Sequence, residues 1–156
     1  MRQIAQRLET LGIVLPEAPD PLGNFLPYLL DGRHLHISGQ IALDPAGDVI
    51  TGKLGQALTV ADGVFAARQC AIGLLARARA ALDGDLGRIE ALVKLGGFVN
   101  ATADFTQHPR VINGASDLMV DVLGPVRGAH ARFATGTPGL PANAAVEIEA
   151  VFRVRG

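Results

Sequence analysis

The apolar residues Val60, Val64, Ala67, Ala71, Leu74, Ala78 and Leu82 step by three or four. Only an α-helix puts such positions on one face, so the spacing predicts a long helix over residues 59–82 with one buried side. Thr59 and Asp62 form a variant of the capping-box pattern at its start, and Gly84 supplies a stop. A helix of this length needs a surface to lie on, and the flanking segments read as strands. Phe25–Leu30 and Leu35–Gln40 are separated by Asp31-Gly32, a hairpin signal. Ile89–Val99 reads as a long strand in which Gly96-Gly97 suggests a bulge or a close backbone contact. Phe105–Leu123 reads as a second helix, disturbed near Pro109 and weakened by Gly114. Residues 129–136 and 144–154 read as two closing strands joined by a Gly- and Pro-containing loop.

Ahead of this core, residues 2–10 predict a short amphipathic helix, with Ile4 and Leu8 on its apolar stripe. Residues 15–24 carry Pro16, Pro19, Pro21 and Gly23 and predict an extended lead-in. The order β-β-α-β-α-β-β implies an α+β fold, a mixed sheet with two helices packed on one face. The 156 residues are expected to form a single domain, 1–156, with 1–24 as its N-terminal helix and lead-in.

Composition narrows the function. Hydrophobic residues make up 49% and charged residues 19%, which excludes disorder and leaves more apolar surface than a small monomer hides, so an oligomer interface is expected. The net charge of -1 and the 4% aromatic content disfavour a nucleic-acid partner, which needs clustered cations and stacking rings. Arg68, Arg77 and Arg79 on the long helix read as its solvated face. No apolar run is long enough to span a bilayer, and the charged start is unlike a signal peptide, so a cytoplasmic location is expected.

Standard motifs are absent: there is no Walker loop, G-x-S-x-G, C-x-x-C or H-E-x-x-H. The single cysteine, Cys70, lies among apolar neighbours mid-helix and reads as a buried, inert thiol. His34 and His36 would share a strand face, but two imidazoles fall short of a tetrahedral zinc site, so no metal is expected. The last two strands stand out. His130, Arg132 and Ala134 share one face of the first, and Glu147 and Glu149 share a face of the second. An Arg and a carboxylate pair inside apolar strands fit a cross-strand ion pair. They fit equally an Arg held for a substrate carboxylate with a Glu placed to handle a proton, and the residues alone leave both readings open.

The chain resembles the RidA/YjgF family from about Ala18 to Val154. Ala18-Pro19 through Gly23-Asn24-Phe25 is similar to the family's lead-in. Ile37-Ser38-Gly39-Gln40-Ile41 resembles its SGQ strand. Ala131-Arg132 followed by Leu140-Pro141 resembles its AR…LP signature, and Val146-Glu147-Ile148-Glu149-Ala150 resembles its VEIEA ending. The length and the segment Val111–Gly124 resemble a longer branch of the family.

The resemblance implies a chorismate-mutase-like fold that assembles as a trimer with ligand clefts between subunits. It implies hydrolysis of reactive imines or enamines of the 2-aminoacrylate type to 2-oxo acids and ammonia, without a cofactor. Carried over by position, Arg132 would bind the substrate carboxylate and Glu147 would orient or activate the attacking water. Ser38 and Gly39 would line the cleft, and Asn113 stands where the family has an Asn on its second helix. Phe25 replaces a common Tyr, with Tyr28 nearby, and Ala134 replaces a common Cys, Ser or Thr. Two other readings stand beside the deaminase: a trimer that binds small carboxylates without turning them over, and a ribonuclease or translation inhibitor.

Overall fold

The computed structural model describes residues 2–21 and 23–156. The N-terminal helix is α1, Arg2–Thr10. A hairpin follows, β1 Tyr28–Asp31 and β2 His34–Ile41, and then the long helix α2, Val60–Ala81. A single 3-10 turn at Leu86–Arg88 leads into β3, Ile89–Asn100. Helix α3, His108–Leu123, crosses over to β4, Ala131–Thr137, and the chain closes with β5, Val146–Val154. The sheet order is β1-β2-β5-β3-β4. β3 and β4 run parallel and the other pairs antiparallel. The parallel pair is the one joined by a helix, as a crossover connection requires.

The N-terminus of α2 is the expected capping box. The Thr59 hydroxyl accepts from Asp62 N–H at 3.2 Å, and an Asp62 carboxylate oxygen accepts from Thr59 N–H at 2.8 Å. Ala66, Ala67, Cys70, Ala71, Leu74, Leu75, Ala76 and Ala78 are all buried, so the covered surface is wider than the expected stripe, while Val60 and Val64 are only half-buried. Small residues let α3 and the sheet approach closely. A Cβ on Gly63 would stand 2.9 Å from Val111 Cγ2, and one on Gly114 would stand 2.1 Å from the Val64 carbonyl oxygen.

Leu35 and Ile37 of β2, Leu95 and Val99 of β3, and Ile148, Ala150, Phe152 and Val154 of β5 fill the space under α2 and α3. β5 alternates buried and more accessible positions along its whole length, as a strand with one covered face must. The opposite face of the sheet is open. It carries Phe98, which is 40% exposed, and Phe133, packed edge to face with their ring centres 5.3 Å apart.

Several boundaries differ from the sequence reading. Asp31 pairs with His34, so the hairpin loop is Gly32-Arg33 rather than Asp31-Gly32, with Gly32 at φ 58. Residues 25–27 precede the first strand rather than belonging to it. Pro109 does not disturb α3 but sits in its first turn, where its missing N–H costs nothing. Gly96 and Gly97 form no bulge; Phe133 and Glu149 cover Gly96, and Ile112 covers Gly97. The irregularities of β3 lie earlier, between Ile89 and Ala91 and between Leu92 and Lys94. The mixed five-stranded sheet with helices on one face is as expected, and α1 adds a third helix. Among the described residues no helix is long and apolar enough to cross a membrane.

Candidate active site

Arg132 lies opposite Leu95 in the parallel β3–β4 ladder, and Ala134 lies opposite Gly97. Leu95 is buried and Ile112 of α3 covers Gly97, so Arg132 and Ala134 stand on the helix-backed face at the sheet's edge. Arg132 Nη1 donates to Ser116 Oγ at 2.9 Å and Nη2 donates to the Pro109 carbonyl at 3.2 Å. It has no carboxylate partner among the described residues, where the ion pairs are Arg33–Glu90, Arg79–Glu17 and Arg153–Glu90. The cross-strand ion pair is therefore not what the strand forms. Neither acceptor carries charge, so the guanidinium keeps its full cationic character while its orientation is fixed.

A second hydrogen bond fixes Ser116. His130 Nδ1 lies 2.6 Å from the Gly128 carbonyl, and Nε2 lies 2.9 Å from Ser116 Oγ. A carbonyl can only accept, so Nδ1 carries a proton and Nε2 is the nitrogen that meets the Ser116 hydroxyl. The order is Arg132 to Ser116 to His130 to Gly128. His130 stands just outside β4 rather than within the expected strand. Ser116 was not singled out by the sequence. Its signal was the strip Pro109, Asn113, Ser116, spaced by four and three along α3, which places all three beside Arg132. Asn113 is exposed on that strip between the two acceptors.

Glu147 is on the other face. It lies opposite Phe98 in β3 and Ile41 in β2, with Glu149 two positions along. Within one chain, Arg132 and Glu147 are thus separated by the sheet. The Glu147 carboxyl is half-buried. Loss of hydration, and secondarily the Glu149 charge, raise its proton affinity above the ordinary carboxylate range.

Ser38 and Gly39 belong to this side of the site. β2 pairs Ile37 with Ala150 and Gln40 with Ile148, so one extra residue forms a bulge at Ser38-Gly39. A Cβ on Gly39 would sit 2.5 Å from a Glu147 carboxylate oxygen, so the missing side chain is the space that the carboxylate occupies. Ser38 Oγ donates to the Leu26 carbonyl at 2.6 Å and ties down the lead-in, which leaves its lone pairs available to a ligand. Phe25 is 52% exposed ahead of β1, and Tyr28, opposite Ile37, stands on the helix side.

His34 and His36 are exposed on the open face of β2, and no group of three or more His, Cys, Asp or Glu gathers among the described residues. Cys70 is fully buried, its thiol 3.5 Å from the Val146 carbonyl. Arg77 departs from the solvated face expected for it: it is 7% exposed, with Nε donating to Gln40 Oε1 at 3.3 Å.

A family model described as "YjgF/chorismate mutase-like, putative endoribonuclease" matches residues 5–152. The chain is 46% identical to Protein TCP17 of Trypanosoma cruzi over 152 residues, covering 97% of this chain and 94% of that one. Among solved structures it is similar to the protein Atu1372 from Agrobacterium tumefaciens, with TM-score 0.89 and 40% identity. That alignment covers 98% of this chain and 94% of the other. It is also similar to RidA from the Antarctic bacterium Psychrobacter sp. PAMC 21119, with TM-score 0.56 and 25% identity, over 88% of this chain and 94% of that one. With the model matching nearly its whole length, the chain belongs to the YjgF/chorismate mutase-like family.

Proposed function

We propose that the protein is a hydrolytic deaminase of small imino or enamino acids, working as a trimer whose sites lie between copies. The observation that carries this reading is Arg132. It is a cation without a carboxylate partner among the described residues, oriented by two uncharged acceptors beside an accessible helix strip. A bidentate pair with a substrate carboxylate fits such a group. The family resemblance supplies the substrate class, and the RidA relative supports it.

The chemistry needs little more. A protonated imine carbon is already electrophilic. Water adds to it, and the proton lost by that water goes to a base. Glu147 suits that role because loss of hydration, and secondarily the Glu149 charge, make its carboxylate a stronger base than an exposed one. The carbinolamine then collapses: its C–N bond breaks, the nitrogen leaves as ammonia after gaining a proton, and a 2-oxo acid remains. Positioning and one proton transfer ask for an acceleration of about 10² to 10⁴.

Arg132 and Glu147 stand on opposite faces of one sheet, so the site this mechanism needs takes Arg132 from one copy and Glu147, Ser38 and Gly39 from its neighbour. The exposed apolar residues Leu29, Val93 and Phe98 support such packing of the open face. The test is ammonia release from enzymatically generated 2-aminoacrylate. Arg132→Ala and Glu147→Gln should each lose turnover. Refolding the two together should restore activity at about a quarter of the sites, because only one pairing order in four unites an intact Arg with an intact Glu. A wild-type rate in Arg132→Ala would refute the deaminase. A mixture as inactive as its parts would refute the shared site. Normal binding of 2-oxobutyrate by a chain that releases no ammonia would leave a carboxylate sensor instead.

A further inference from the structure

A second cavity lies on the helix side of the sheet, away from Arg132. It has a volume of about 770 Å³ and is enclosed by the N-terminal lead-in, the end of β2 with its following loop, and α2. Leu11, Ile13, Leu43, Ile72 and Ala76 give it apolar walls. Its roof is held in place: Arg79 Nη2 donates to the Pro16 carbonyl at 3.0 Å and lies 3.6 Å from the Glu17 carboxylate. The size is that of an organic-ligand pocket, well above what a two- or three-carbon acid fills.

Arg77 and Arg68 both line this cavity. Arg77 is more than nine-tenths buried, and among the described residues its one hydrogen bond uses Nε, to Gln40. Its two terminal nitrogens have no protein acceptor there. Burial opposes its charge and lowers its proton affinity, and Asp20 partly offsets this through space without closing an ion pair. A guanidinium held by Nε alone, with its terminal edge free in a largely enclosed cavity, offers two parallel donors to an anion there. The helix-side placement of Gln40 follows from the β2 bulge, so the cavity's polar end is built by the fold.

We propose that this cavity is a second binding site for an organic anion, a carboxylate on an extended apolar body, with the carboxylate on the terminal edge of Arg77 and the body along Ile13 and Ile72. Arg68 lines the same cavity, as do the carboxylates Glu17 and Asp44. The site is independent of Arg132 and of the proposed deaminase reaction.

The experiment is calorimetric titration of the whole protein with hexanoate, octanoate, decanoate and the neutral decanol. Decanoate should bind, with affinity rising about three- to fourfold for each added methylene that is buried. Decanol should bind at least tenfold more weakly. Arg77→Met keeps the side-chain bulk and removes the charge, and should weaken decanoate at least tenfold. Gly73→Leu tests the space without touching the charge. Gly73 lines the cavity, and a Cβ there would meet only the Gln40 side chain, at 3.6 Å. It should block decanoate to the same degree, while Arg132→Ala should bind as wild type does. Circular dichroism checks that each variant is folded. No binding by wild type at millimolar decanoate would overturn the proposal. So would unchanged binding in folded Gly73→Leu, or decanol binding as tightly as decanoate.

Discussion

The contact between Gly114 and the backbone of α2 allows a prediction whose sign is contested by two effects. In an exposed helix, Gly→Ala stabilises by about 1 kcal/mol, because Ala loses less backbone freedom on folding. At Gly114 the new Cβ would stand 2.1 Å from the Val64 carbonyl oxygen and 2.9 Å from its carbonyl carbon. Those atoms are helix backbone and cannot rotate away, so α3 must move by about an ångström to reach an ordinary contact distance. Overpacking of this kind costs about 1–3 kcal/mol, and a collision with backbone belongs at the upper end. Offset by the propensity gain, Gly114→Ala should lose about 2 kcal/mol, or about 4–8 °C in Tm for a chain of this size. Urea unfolding followed by circular dichroism measures it, with Gly73→Ala as the matched control. The control Cβ would meet only a flexible glutamine side chain at 3.6 Å, so that variant should gain stability. The movement should also disturb the hydrogen bonds of Ser116 and Pro109 with Arg132. A Gly114→Ala protein as stable as the control would refute the reasoning, because it would mean that the helices separate at no cost.

Glu147 yields a pH-dependent prediction. Its proton affinity is raised in the folded chain, so its ionisation opposes folding, and the stability it leaves intact at low pH is lost as pH rises from the unfolded carboxyl's range through its own higher value. Glu147→Gln should therefore be more stable than wild type at neutral pH, with the difference shrinking in acid, as read by urea midpoints across pH; a constant difference would contradict this. Cys70 is fully buried, and burial together with the Glu147 charge suppresses thiolate formation. Its reaction with a disulfide reagent should run at the rate of unfolding, and modification as fast as that of a free thiol would contradict the packing. Thr59→Ala removes one half of the capping box and should cost about 1 kcal/mol of stability, measured by urea unfolding.

Fold and site were legible in the sequence to different depths. The α2 period, its capping box and the alternation along β5 follow from local chemistry, and they stand where the spacing puts them. Side-chain alternation also grouped Arg132 with Ala134 and Glu147 with Glu149 correctly. What alternation cannot state is which face of the sheet each group takes, because that depends on the partner strand. Pairing with Leu95 turns Arg132 toward the helices, and pairing with Phe98 turns Glu147 away from them. Arg77 departs from its expected place for a related reason. Periodicity marks charged residues as outward, but the lead-in folds back over this stretch of α2 and covers it. Ser116 is illegible in the sequence because a lone serine in a helix has no signature until the Arg and His that share it are brought together in space.

The bulge in β2 makes this strand sensitive to its length in a way that no side chain reveals. Before it, odd-numbered residues, Leu35 and Ile37, point into the core; after it, the buried position is even-numbered Ala42, with Gln40 beside Arg77. Excising a single residue between Ile37 and Gln40 would bring both halves into one phase. Gln40 would still meet Ile148, Ile41 would still meet Glu147, and Ala42 would stay in the core. What would vanish is the bulge at Ser38-Gly39, and with it the gap that the Glu147 carboxylate occupies. One lost residue would so straighten the strand and damage the site while sparing the fold, whereas many substitutions of the exposed neighbours His34 and His36 should pass unnoticed.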